Sequence, residues 1–249
     1  VTIDKSGTYL LADNATGAIT IGEGIQVTIV GSSWDAATGA FTKMYTDVGI
    51  VVGDGSSLTI QDVWNEIGEH SPSIIDFQGR GSLTIAGHNL FDMPEGYGSS
   101  AVIHVGPDAD VTFDGTGCLW GYKHAAGAFI GANADEANGI ITIDGGTYIG
   151  NLCAQYGGKI TIKRGTIKGI KTNNVGAVTA YDGGSVVING GTFTSDTPAQ
   201  AIIQNEGGSV TINAGNFKYN PKINEEMAAL PQFQNLHPQQ PADTTRGAE

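Results

Sequence analysis

The side chains able to do chemistry are few and widely spaced. Asp76 lies nine residues before Ile85, and His104 nine residues before Phe113, each of these being the last residue of an apolar-Thr-apolar phrase. If the phrases are equivalent strands, Asp76 and His104 stand at equivalent points of adjacent repeats, where a carboxylate can orient an imidazole in a ligand-binding groove. A solvated or structural pair is the plainer alternative. Directly after two further phrases come Asp114 and Asp144, whose oxygens on successive repeats could share a cation, with calcium the ion that oxygen ligands favour. Their other reading is Asp-Gly corner chemistry, with Lys163 offsetting the charge beside Asp144. A third set is aromatic: Trp64 follows "LTIQDV", and Trp120, Tyr122 and His124 fall in "GTGCLWGYKHAAGA". Sugars stack an apolar face on such rings while nearby polar groups engage the hydroxyls, so these four residues are candidates for ligand contact, with packing the competing role. Trp34 falls in an inward register and reads as core.

The elements that must position these residues are legible from a repeat. Phrases of the form VTI, LTI, VTF, ITI or, once, VVI end at Ile29, Ile60, Ile85, Phe113, Ile143, Ile162, Ile188 and Ile212, at separations of 19 to 31 residues. Strand alternation turns the two apolar residues inward and the central Thr28, Thr59, Thr84, Thr112, Thr142, Thr161 and Thr211 outward, with Val187 breaking the row. Five positions after each final residue come Trp34, Leu90, Cys118, Tyr148, Ile167, Phe193 and Phe217, with Asn65 the exception; these read as the first inward residues of a second side. Phrases such as "DGGTYIG" and "NGGTFTS" supply glycine corners, and "AVTAYDGGS" a third strand. Three strands and three corners per repeat predict an all-β chain folded as a single-stranded parallel β-helix, a three-sided solenoid of about eight or nine coils whose strands pair only by stacking.

The boundaries expected are an N-terminal cap and first coil over 1–26, the β-helix over 27–219, a C-terminal cap over 220–230 in "NPKINEEMAAL", and a Pro/Gln-rich tail or linker over 231–249. Glycine supplies 38 of 249 residues and charged residues only 15%, which suits a fold of many tight turns. The formal charge of −13, with no basic cluster, speaks against a nucleic-acid partner. Long apolar runs are missing, so direct membrane insertion is not expected. Cys118 and Cys153 fall on different sides and are expected as free thiols.

"INGGTFT" with a later "GGSVTI", and an opening with "SGTY" and "ITI", resemble repeats of right-handed parallel β-helix proteins of the extracellular bacterial surface and carbohydrate-binding type, within the pectate-lyase-like superfold. The resemblance covers about residues 1 to 220 and rests on core and corner residues, so it supplies no catalytic residue. It implies a right-handed helix, export to a secreted or cell-surface location, and contact with polysaccharide, a cell-surface glycan or a protein. Enzymes of the superfold need further groups. Arg80, Arg164 and Arg246 are the only arginines and none stands in an Arg-x-Pro context; there is no Asp-Asp pair; and "GHN" at 87–89 only faintly echoes a Gly-His-Gly element.

The expectation is therefore an acidic extracellular adhesin-like module, non-catalytic, that binds a carbohydrate or cell-surface ligand without a cofactor unless calcium is used. Two alternatives stay open: a polysaccharide lyase or glycoside hydrolase with an atypical site, and a structural stalk or spacer of a surface protein.

Overall fold

A computed structural model describes residues 1–42, 46–66, 73–92, 102–122, 129–133, 139–169, 177–195 and 203–219. His124, the expected cap 220–230 and the tail 231–249 lie outside the described residues. Among the described residues every regular element is a strand, and no helix is long and apolar enough to cross a membrane.

The short β-branched runs form parallel strands that alternate between two large sheets. One sheet has nine strands in chain order, from Thr2–Ile3 through Asp47–Val52, Ile75–Phe77 and Ile103–Val105 to Ile203–Glu206. The other has fourteen and contains the apolar-Thr-apolar strands, among them Gln26–Val30, Ser56–Gln61, Gly81–Ala86 and Asp110–Gly115. A separate antiparallel hairpin pairs Trp34–Asp35 with Ala40–Phe41.

This arrangement corrects the expected single-stranded, three-sided β-helix. Ile140–Ile149 and Lys159–Lys168 are unbroken ten-residue strands that run straight through two of the supposed corners. The glycines there are absorbed as a register irregularity between Ile143 and Thr147, with Gly146 at φ 78°, so the two sides expected to be separate belong to one fourteen-stranded sheet. The result is two large parallel sheets and a hairpin rather than a three-sided solenoid.

The main core lies between the two large sheets. Ile50, Val52, Ile75, Phe77, Ile103 and Val105 from one meet Leu58, Ile60, Leu83, Ile85, Phe113 and Ile143 from the other, all buried. Seven of the eight phrase-ending residues are inside, while Ile212, in the last such strand, is 52% exposed. The column of these residues also slips once. Ile60 pairs with Ile85, but Phe113 stands opposite Leu83 and Ile85 opposite Gly115. A shift of two keeps every side chain on its own face. Gly115, at φ 104°, permits it: a Cβ there would collide with the Ile85 carbonyl.

Candidate functional site

Asp76 and His104, equally offset from two repeat phrases, do lie together, although Phe113 pairs with Leu83 and not with Ile85. They are register partners on adjacent strands of the nine-stranded sheet, facing away from the core between the buried pairs Ile75 with Ile103 and Phe77 with Val105. His104 Nδ1 lies 2.8 Å from Asp76 Oδ1, and Gln78 Nε2 donates to Asp76 Oδ2 at 3.2 Å. Both side chains are about one-third accessible. Burial pushes the Asp76 carboxyl up, but the hydrogen bonds from His104 and Gln78, with the coulombic pull of His104, outweigh it and hold the carboxyl below its usual value. The pair offers fixed donors and acceptors to a polar ligand from a rigid sheet face.

The aromatic candidates meet a different fate. Trp64 and Trp120 are register partners of Leu90, on the strands Trp64–Glu66, His88–Asp92 and Cys118–Tyr122 of the fourteen-stranded sheet. Their neighbours Asn65, Phe91 and Leu119 are buried toward the main core, so the tryptophans face the other way. There they build a second, smaller apolar cluster with Phe41 and Ile149, packed by Trp34 and Cys118. Phe41 from the hairpin sits edge-on to Trp64 at 6.1 Å and to Trp120 at 6.2 Å, leaving Trp120 only 4% exposed. Trp34, expected as core, instead forms part of this cover, and Leu90 and Cys118 leave the expected inward row. Tyr122 ends the Trp120 strand.

Asp114 and Asp144 each have a protein partner of their own. Thr84 Oγ1 donates to Asp114 Oδ1 at 2.6 Å, and Arg164 Nε donates to Asp144 Oδ1 at 2.6 Å. A guanidinium beside Asp144 offsets the carboxylate charge that a calcium ion would use. Among the described residues no group of three or more His, Cys, Asp or Glu is placed to hold a metal ion.

Cys118 and Cys153 are free thiols, and burial pushes each up to about 12, so neither is an activated thiolate.

Two acidic residues beside the tryptophans escaped the sequence reading, and His88 entered it only as part of "GHN". Glu66 and Asp92 are register partners two residues beyond Trp64 and Leu90; burial first, then the charge of Asp47, raises the Glu66 carboxyl. His88, two residues before Leu90, lies under the Trp34 ring, and its backbone N–H is bonded to Asp62. Trp64 is four residues after Ile60 and Leu90 five after Ile85: Asp62 at φ 55° and Gly87 at φ 57° follow the register partners Gln61 and Ala86, and one residue is added between Gly87 and Leu90. That single insertion hides the Glu66 and Asp92 partnership from a constant-offset comparison.

No family model and no solved structure matches the chain. Over 31 residues it is 64% identical to a probable glycine dehydrogenase (decarboxylating) subunit 2 of Alkaliphilus oremlandii, and 68% identical to that of Caldanaerobacter subterraneus. The counterpart in Listeria monocytogenes is 58% identical over 31 residues. Each match covers 12% of this chain, and the chain spans only about 6% of the length of these relatives.

Proposed function

We propose that the chain is an extracellular, non-catalytic binding or adhesive module for a carbohydrate or cell-surface ligand. The observation that carries this reading is the Asp76 and His104 pair, held at 2.8 Å and one-third accessible on a rigid sheet face. A small number of fixed polar groups is what orients a polyhydroxylated ligand, and neither thiol is poised as a nucleophile. The test is a glycan array probed with the wild type and with His104→Ala at equal melting temperature. Retention of a glycan by the wild type and its loss in the variant support the reading; equal retention by both would remove the pair from it.

A second reading has its own observation. Glu66 and Asp92 are carboxylates on adjacent strands in direct register, and the Glu66 carboxyl is raised by burial and by Asp47. Two neighbouring carboxyls, one of them raised by burial, are the kind of pair from which a glycoside hydrolase draws its acid and base. Release of reducing sugar that disappears in Glu66→Gln would favour this enzyme reading over the first.

A further inference from the structure

We propose that the hairpin 34–41 is a displaceable cover over a carbohydrate-stacking platform formed by Trp64, Leu90 and Trp120, and that the platform takes a neutral pyranose chain. The inference deepens the binding reading, on which its choice of ligand class rests, but its residues lie on the other sheet from Asp76 and His104.

The platform is built from the main sheet and the cover is not. Trp64, Leu90 and Trp120 occupy one register position on three successive strands, so the two indoles are two strand spacings apart, about 9.6 Å. That separation lets one saccharide chain lying along the sheet meet both rings. Rows of polar residues flank the platform. Glu66 and Asp92 follow it by two positions, and His88, joined to Asp62, precedes it. These can serve the equatorial hydroxyls while the ring faces bind the apolar C–H surface.

The hairpin pairs only with itself among the described strands and belongs to neither large sheet. Its strands are two residues each, and a lone two-stranded hairpin has little stability of its own. It closes by side chains: Phe41 against both tryptophans and Trp34 on His88. Its turn is held internally, with Asp35 accepting from the Ala37 N–H at 2.8 Å and from Thr38 Oγ1 at 3.0 Å. The hairpin can therefore leave as a unit, trading Phe41 for a sugar ring without breaking a ladder of the large sheets. The flanking Asp62, Glu66 and Asp92, on a chain of charge −13, repel uronate carboxylates and select a neutral chain.

The experiment titrates a neutral β-1,4-linked glucose tetramer and, separately, a galacturonate tetramer into the whole chain, followed by calorimetry and tryptophan fluorescence. It is run in a His104→Ala background, so that the Asp76 pair contributes nothing. Phe41→Ala should bind the neutral tetramer about tenfold more tightly, because the open state is no longer a minor fraction. Adding Trp120→Phe, which retains a ring at the packing position, should reverse at least half of that gain on a logarithmic scale. A folded Phe41→Ala protein whose hairpin amides exchange faster yet whose affinity is unchanged would overturn the proposal. Tighter binding of the galacturonate than of the glucose tetramer would overturn it as well.

Discussion

Trp34 lies flat on His88, with ring centroids 3.8 Å apart and planes 11° from parallel. Trp120 stacks at 5.7 Å from the same imidazole, Cys118 is its strand partner, and Asp62 holds its backbone N–H. Burial lowers the His88 pKa, with Asp62 pulling the other way. A histidine whose folded pKa is depressed supports the fold while neutral. That support is present above the unfolded value of 6.5 and is lost as pH falls below it toward the folded pKa. Hydrogen exchange at the Gly39 amide, which donates to Asp35 within the hairpin, should therefore lose protection between pH 7.5 and pH 5 relative to main-sheet amides. His88→Phe should flatten the dependence; an unchanged profile in that variant would assign it to another group.

Asn65 ties the two sheets together. Its Nδ2 donates to the Val48 carbonyl at 2.6 Å, and its Oδ1 accepts from the Val48 N–H at 3.0 Å and from Thr46 Oγ1 at 2.8 Å. Asn65→Ala leaves both Val48 backbone groups unpaired inside the protein, at a cost of about 1 to 3 kcal/mol for each. Urea unfolding should show a lowered midpoint at constant slope. A midpoint equal to wild type would mean that solvent reaches Val48.

Ile143 is completely buried and Ile212 is 52% exposed, although the sequence places them in equivalent phrases. Ile143→Ala should cost about 2 to 5 kcal/mol. Ile212→Ala should stay within about 0.5 kcal/mol of wild type. Equal costs would show that the Ser209–Ile212 strand is covered in solution.

Both thiols are raised to about 12 by burial. A disulfide-exchange reagent at pH 8 should label neither at an appreciable rate in the native protein and both after denaturation. Rapid native labelling at Cys118 would indicate that the hairpin cluster opens often.

How far the sequence could be read follows from its periodicity. The inward column was legible because parallel register converts a constant offset into contact; the Asp76 and His104 adjacency was legible through two changes that cancel, since the connection from His104 to Phe113 is two residues longer than that from Asp76 to its counterpart Leu83, and the two-residue slip restores the equal count from Ile85. Asn65 was visible as a misfit at an apolar position; its cause, a bridge to Val48 on the other sheet, was not. The two-residue slip at Gly115 was invisible, and it carries the next strand with it: Leu90 pairs with Trp120 instead of Cys118. Tyr148 then pairs with Leu119. The three-sided plan failed because glycine pairs such as Gly145 and Gly146 read as corners, whereas backbone hydrogen bonding carries the strand through them. Trp34 was placed inward by the same spacing rule, but it has no strand of a large sheet to sit on and pairs locally with Phe41.

Binding and turnover scored on one sample give the most direct test of the proposed function. The wild-type chain is incubated with immobilised neutral and acidic glycans, and retention is measured together with release of reducing sugar and of unsaturated uronate. The expected result is retention of at least one glycan that weakens in the Asp76→Asn, His104→Ala double variant, with release no higher than the blank. Release above the blank that is abolished by Glu66→Gln, or an absence of retention on every glycan, would contradict a non-catalytic carbohydrate-binding role.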